Sequence, residues 1–215
     1  MSFAEFGGPD VLQLTDAEEP HAGPGQIRIA VRAAGVNPVD WRIREGQFQK
    51  VRPIELPAGV GQDAAGVVDE VGAGVEGVEA GDRVFGRGSS TYAEFAVLSA
   101  WARIPEGLTY TEAAGYPSVV ETVLRIIREA GVQSGQTLLV SGASGGVGSA
   151  VLQIARDRGI TVIGTAGPRT RTICAAWEPS PRCTARAGSS GCGSSATSTR
   201  LSIWPTRASS ANSSN

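Results

Sequence analysis

Three glycines, Gly142, Gly145 and Gly148, follow one another at intervals of three residues in the stretch SGASGGVGSA, residues 141–150, with Gly146 between the last two. Glycine lets a chain turn tightly and lets backbone N–H groups approach a ligand closely. Where such a turn opens a helix, the partial positive charge of the helix N-terminus attracts phosphate groups. The spacing therefore predicts nucleotide binding, and the alternative is a purely structural turn.

The segments on both sides of this turn have the order that such a site needs. Residues 138–140 form a short apolar run before the turn, and residues 161–165 form a second one after it. Between them, Val151, Ile154 and Ala155 have the spacing of one helical face. Strand, glycine turn, helix and strand make up a βαβ unit, which is the start of a parallel sheet.

The residues after the second predicted strand bear on which dinucleotide is bound. An acidic residue there selects NAD by bonding the ribose 2′-hydroxyl, whereas a nearby Arg suits the 2′-phosphate of NADP. This chain has Thr165, then Arg169 and Arg171, and no acid between them. The sequence therefore favours NADPH as the cofactor.

The first hundred residues are typical of short strands separated by turns. Ile27, Ile29 and Val31 alternate with other residues as in a half-buried strand, and glycine-punctuated segments of the same kind follow up to residue 105. This spacing predicts a compact β-barrel-like domain. A helix is then predicted from Thr109 to about Gly131, with an apolar face of Val120, Val123, Leu124 and Ile127.

Composition excludes several classes of function. No apolar run approaches the ~20 residues that a membrane span needs, and no basic-then-apolar leader is present, so we expect a cytoplasmic protein that does not bind membranes. A net charge of −2 gives no reason to expect a nucleic-acid partner. All three cysteines lie after residue 166, at nine-residue spacing that fits no zinc motif.

Five segments resemble the zinc-independent quinone oxidoreductase (zeta-crystallin-like) branch of the medium-chain dehydrogenase/reductase superfamily. They are EFGGPDVLQL, AAGVNPVDWRIREG, GQDAAGVVDEVGAGVEGVEAGDRVFG, YAEFAV and SGASGGVGSAVLQIA. The resemblance implies an α/β fold with a β-rich part: a GroES-like β-barrel catalytic domain at residues 1–108, then an incomplete Rossmann domain at residues 109–166. It also implies hydride transfer from NADPH to a small molecule with an activated double bond, such as a quinone or an enone. The full-length relatives are expected to be homo-oligomers.

The resemblance assigns roles to individual residues. Asn37 stands where the nicotinamide meets the substrate, although an Asx-type turn before Pro38 would also explain it. Thr122 resembles a helical Thr that approaches the nicotinamide, and the alternative is an ordinary mid-helix Thr. The cofactor-binding loop corresponds to Gly142, Ala143, Ser144, Gly145, Gly146 and Val147, with Thr165 at the end of the next strand.

The substrate pocket is predicted on the segment after Asn37. The resemblance places Asp40, Trp41 and Arg44 along the cleft, and the alternative for Arg44 is a solvated charge. Phe48 occupies the position where many relatives carry a proton-donating Tyr, and Phe has no proton to give, which favours quinone reduction over enoyl-thioester reduction. Zinc-dependent relatives need Cys and His where this chain has GVNP and GQD, so no metal is expected.

The character of the chain changes near residue 166. Residues 1–165 carry a net charge of −7, whereas residues 166–215 carry six Arg and one acid. Read from the third base of the Thr172 codon, the following codons allow YLRRLGA, the helix ending that the family would supply. We therefore expect residues 167–215 to be an unstructured, out-of-frame tail after a frameshift that truncates the chain; a genuine disordered tail is the alternative.

Two alternatives to the oxidoreductase function stay open. The chain is an inactive fragment without useful cofactor binding, or its β domain is a binding module.

Overall fold

The computed structural model describes residues 1–167 and 199–201, and the chain divides into two compact units, residues 1–119 and 120–215. The sequence analysis placed the boundary earlier, after residue 108. The difference arises because the helical segment that follows the barrel packs on it: Ala113 and Ala114 form a buried cluster with Ala65 and Ile104. Within the described residues, no helix is both long and apolar enough to cross a bilayer.

The first unit is built around a closed antiparallel barrel of four strands, in the order Ile27–Gly35, Asp63–Val71, Arg83–Gly88 and Phe95–Arg103. Alternating residues from these strands fill its interior, among them Ile27, Ile29, Val68 and Leu98. The predicted β-barrel is thus confirmed. The strands and the helix of this region are β1 Ser2–Phe3, β2 Ile27–Gly35, α1 Pro38–Arg44, β3 Ala58–Gly59, β4 Asp63–Val71, β5 Arg83–Gly88 and β6 Phe95–Arg103.

Two helices stand where the sequence predicted one. They are α2, Tyr110–Ala113, and α3, Pro117–Ala130. The single-helix prediction was wrong because Pro117 has no N–H for a helical hydrogen bond and disfavours helical geometry in the residue before it. The buried face of α3 also differs from the predicted one, because it includes Ile126 and leaves Leu124 38% exposed. Ile126 and Ile127 lie three and four positions after the buried Val123, so these residues share one face of the helix.

The second unit contains the predicted βαβ arrangement. Its elements are β7 Thr137–Val140, α4 Gly146–Asp157 and β8 Thr161–Gly164. Strands β7 and β8 pair in parallel, with Leu138 opposite Val162. Val151, Leu152 and Ala155 of α4 are buried in the core of this unit. The parallel strand–helix–strand prediction is confirmed.

A short strand lies within the tail that was expected to be unstructured. Residues Thr199–Leu201 form β9, which pairs in parallel with β7 on the side opposite β8. A strand edge presents unpaired backbone groups that accept another strand, which accounts for this pairing. The remaining predictions for the tail, including Arg169, Arg171 and the change of reading frame, lie outside the described residues.

Candidate functional site

Asn37 occupies the turn between β2 and α1. It is the N-cap of α1, and Pro38 follows at the first helical position, where a missing N–H costs nothing. Its backbone N–H donates to Oδ2 of Asp40 at 2.7 Å, so the helix start is fixed by a short-range bond. Its side chain reaches to another element: Nδ2 donates to Oδ2 of Asp63, the first residue of β4, at 2.9 Å.

Asp63 is fully buried, and its carboxylate gathers donors from several elements. Ser118 in the first turn of α3 donates twice, from its backbone N at 2.9 Å and from its Oγ at 2.6 Å. The Arg87 guanidinium lies 3.9 Å away. A buried carboxylate is retained only where hydrogen bonds and opposite charge replace its hydration. Sequence reasoning missed this residue, although one acid directly before the apolar run AAGVV is a signal for such a role.

A second buried carboxylate, Asp40, lies in the same turn. It is 4% exposed, and Oδ2 accepts the phenolic O–H of Tyr92 at 3.0 Å. Burial raises the pKa of Asp40, while the bonds from Asn37 and Tyr92 oppose that rise. Burial and the charge of Asp40 raise the pKa of Tyr92, so the phenol keeps its proton. Asp40, predicted to line the cleft, thus lies inside the fold and supports the Asn37 turn.

The other predicted pocket residues differ in exposure. Trp41 is 40% exposed and Phe48 is half-buried in the turns after α1. Arg44 is 8% exposed, and its Nε donates to the carbonyl of Gly7 at 3.1 Å. Arg44 therefore ties α1 to the N-terminal segment and is not the solvated charge that the sequence also allowed.

In the second unit, Thr165 holds the glycine turn. Its Oγ1 accepts the backbone N–H of Gly142 at 3.3 Å, and its carbonyl accepts that of Ala143 at 2.9 Å. Gly142 has a φ of 73°, which favours glycine. The turn and the end of β8 are therefore fixed together. Thr122, half-buried in α3, and Ser144, half-buried in the turn, keep their predicted roles as predictions.

The start of α4 leaves room for a ligand. A Cβ added at Gly148 would lie 2.4 Å from the Gly142 carbonyl, so the turn packs tightly there, whereas a Cβ at Gly146 would meet nothing within 4 Å. The helical bonds begin with Ser149 N–H to the Gly145 carbonyl, at 2.8 Å. The N–H groups of Gly146 and Val147 lie in the first turn of α4, ahead of this first helical hydrogen bond. This arrangement fits a pyrophosphate group.

No group of three His, Cys, Asp or Glu side chains with the arrangement of a metal site occurs among residues 1–167 and 199–201. The expectation that the protein works without zinc stays a prediction.

Comparison with known proteins finds a family match for the first unit and relatives that are similar over most of the chain. Residues 23–114 match the alcohol dehydrogenase GroES-like domain family. The quinone oxidoreductase of Rattus norvegicus is 43% identical over 169 residues, which cover 76% of this chain and 51% of the rat protein. The solved quinone oxidoreductase of Coxiella burnetii is similar over 82% of this chain and 58% of its own, with 34% identity and a TM-score of 0.71.

Residues 23–114 belong to the alcohol dehydrogenase GroES-like domain family, and the chain is similar to quinone oxidoreductases of the medium-chain dehydrogenase/reductase superfamily. The chain spans about half the length of the curated relatives that it matches. The Escherichia coli quinone oxidoreductase, solved in complex with NADPH, is similar over 82% of this chain and 55% of its own, with 29% identity and a TM-score of 0.67.

Proposed function

We propose that this protein transfers hydride from NADPH to a quinone or a similarly activated double bond of a small molecule. The observation that carries the proposal is the open space at Gly146, where a glycine turn leads into α4 between two parallel strands. The similarity to the quinone oxidoreductases of rat and C. burnetii and the NADPH complex of the E. coli relative support it. The cytoplasmic location expected from the sequence stays a prediction.

The glycine turn is the binding element for the cofactor. NADPH, when bound, supplies the hydride that the reaction needs. The N–H groups of Gly146 and Val147 would bind the pyrophosphate, whereas the N–H of Gly145 already donates to the carbonyl of Gly142 at 3.0 Å. The N–H groups of Gly142 and Ala143 bond Thr165 instead, so these two residues would shape the turn without touching phosphate.

The turn at Asn37 would orient the reacting groups. Asn37 is fixed at its backbone by Asp40 and at its side chain by Asp63, so its amide has one preferred orientation. Trp41 and Phe48 would supply apolar surface for the acceptor. The phenolic proton of Tyr92 is directed to Asp40, and Phe48 has none to give, so solvent protonates the reduced product.

Replacing Gly146 by Ala tests the cofactor site. The new methyl group meets no protein atom within 4 Å, so the fold should be preserved while the space for the pyrophosphate is filled. We expect the affinity for NADPH, followed by its fluorescence, to fall by about tenfold or more, and quinone-dependent NADPH oxidation to fall with it.

Gly8→Ala is the matched control, because a Cβ at Gly8 also meets nothing within 4 Å and Gly8 lies in the first unit. Its melting temperature and NADPH affinity should equal those of the wild type. Saturable NADPH binding that survives Gly146→Ala would contradict the proposed site. A wild-type chain that neither binds nor oxidises NADPH would support the inactive-fragment alternative.

A further inference from the structure

The strand order of the second unit reverses at β7. From β7 the chain passes through the glycine turn and α4 to β8, which pairs on one side, whereas β9 pairs on the other side. All three strands are parallel. In open parallel sheets, ligands bind outside the carboxyl ends of the strands at the point where the strand order reverses. The topology therefore places a binding crevice at the carboxyl ends of β7 and β9.

The glycine turn lies at this same end of the sheet. Val140, the last residue of β7, is opposite Gly164 of β8 and Leu201 of β9, so the three strands end level with one another. The turn follows Val140 directly and leads through α4 to β8. The end of β9 is thus on the side of the turn away from β8.

The two halves of a dinucleotide extend in opposite directions from its pyrophosphate. The residue at the end of the second strand of a βαβ unit contacts the adenosine ribose, so the adenosine half would lie over the end of β8. The nicotinamide half must then extend over the other neighbour of β7, which is β9.

We propose that β9, residues Thr199–Leu201, forms the wall of the crevice beside the nicotinamide half of NADPH, so that the C-terminal part of the chain completes the cofactor site. The inference rests on the proposed function, because it takes NADPH as the ligand. It needs only the backbone of β9 paired with β7. A segment whose composition indicated an unstructured tail thus contributes to binding.

One N–H group of β9 is decisive for this pairing. The carbonyl of Val140 accepts the N–H of Thr165, so the backbone groups of Val140 face β8. Since these groups alternate in direction along a strand, those of Leu139 face β9, where Arg200 is the partner in register. A residue of a parallel pair bonds the two residues that flank its partner, so the N–H of Leu201 is directed to the carbonyl of Leu139.

Leu201→Pro removes this N–H and tests the proposal, with the binding of two ligands measured by titration calorimetry. NADPH extends over both sides of the turn, whereas adenosine 2′,5′-bisphosphate carries only the adenine half. The affinity of Leu201→Pro for NADPH should fall by about tenfold or more, because part of the ligand loses its enclosing wall. Its affinity for adenosine 2′,5′-bisphosphate should stay within about twofold of the wild type, since β8 and the turn are unchanged.

Ala17→Pro is the control, because Ala17 lies in an exposed segment of the first unit without secondary structure. This variant should bind both ligands as the wild type does.

Amide hydrogen exchange, which needs no cofactor, shows whether the strand has separated. In Leu201→Pro, the N–H of Leu139 should exchange about tenfold faster or more than in the wild type, because it loses its partner in β9. The N–H of Val140, which faces β8, should exchange at its wild-type rate.

Three results would overturn the inference: wild-type affinity of Leu201→Pro for NADPH, an equal loss of affinity for both ligands, or unchanged exchange of the Leu139 N–H. The second result would mean that β9 supports the whole unit and not one half of the site. A wild type that binds neither ligand would instead overturn the proposed function, while hydrogen exchange would still report on the pairing of β7 with β9.

Discussion

Asp40 and Asp63 are both buried beside Asn37, but they are stabilised to different degrees. Asp63 receives three hydrogen bonds and lies near a guanidinium group. Asp40 receives two, both at Oδ2, and its Oδ1 has no hydrogen-bond partner within the described part of the chain. The difference explains why burial outweighs hydrogen bonding at Asp40 and raises the pKa of its carboxyl group.

The raised pKa of Asp40 predicts a pH-dependent effect of Asp40→Asn. A carboxyl group whose pKa is higher in the folded state stabilises the fold most at low pH, and this contribution is lost as the pH rises through the folded pKa. The amide does not titrate, so the variant should gain stability relative to the wild type as the pH rises above about 4, the ordinary pKa of Asp. Melting temperatures of both proteins at a series of pH values measure the gain.

Asp16→Asn, at an exposed position, is the control. The difference in melting temperature between this variant and the wild type should be the same at every pH measured. A constant or decreasing difference for Asp40→Asn would show that the folded protein does not hold the proton of Asp40 more tightly than the unfolded chain.

At the level of elements, the end of β2 lies against α2 with no space between them. A Cβ at Gly35 would lie 2.3 Å from the carbonyl oxygen of Ala114 and 2.9 Å from Cβ of Asp63. The Ala114 contact is with backbone, which cannot move aside as a flexible side chain does, and Cβ of Asp63 is fixed directly to the backbone of β4. Gly35 therefore sets the distance between β2, α2 and the start of β4.

Gly35→Ala should consequently lower the free energy of unfolding by about 1–3 kcal/mol, the usual cost of overpacking, and more if α2 detaches. It should also reduce turnover, because Asn37 lies only two residues after Gly35. Urea unfolding measures the first effect and NADPH oxidation the second. Gly8→Ala introduces its methyl group into open space, so it should change neither the free energy of unfolding nor the turnover. An unchanged free energy of unfolding in Gly35→Ala would mean that β2 and α2 are not in close contact.

Elements that depend on local pattern could be predicted from sequence, and contacts over long separations could not. Alternating apolar residues indicated the barrel, and the glycine turn between two apolar runs indicated the βαβ unit. The break between α2 and α3 could have been predicted from Pro117, but the sequence pattern was interpreted as one continuous helix. The role of Asp63 was not visible, because its partners Asn37 and Ser118 are 26 and 55 residues away and no local spacing relates them.

At the scale of the whole chain, the first unit should fold without the second. Its barrel closes on itself, which leaves β2 and β4–β6 with neighbours on both sides, and it has its own buried core. A fragment of residues 1–119 should show dispersed NMR signals and a cooperative thermal transition. Aggregation or a broad transition would contradict this.

A shorter fragment, residues 1–108, makes the comparison informative. It lacks α2 and Ser118, so the buried carboxylate of Asp63 loses two of its three hydrogen bonds. Loss of a partner from a buried charge costs about 3–5 kcal/mol, and the shorter fragment should melt at a lower temperature or fail to fold. Equal stability of the two fragments would place the domain boundary at residue 108, as the sequence suggested.

The closed barrel also bears on how proteins of this kind diverge. Since its interior is filled by its own side chains, the connection between β2 and β4, residues 36–62, can change in length and composition without exposing the core. Substitutions at Trp41 and Phe48 within this connection would alter the preferred acceptor, provided that Asn37 stays bonded to Asp63. Acceptor preference can thus drift in evolution through one segment, and grafting that segment from a relative should transfer the preference with it.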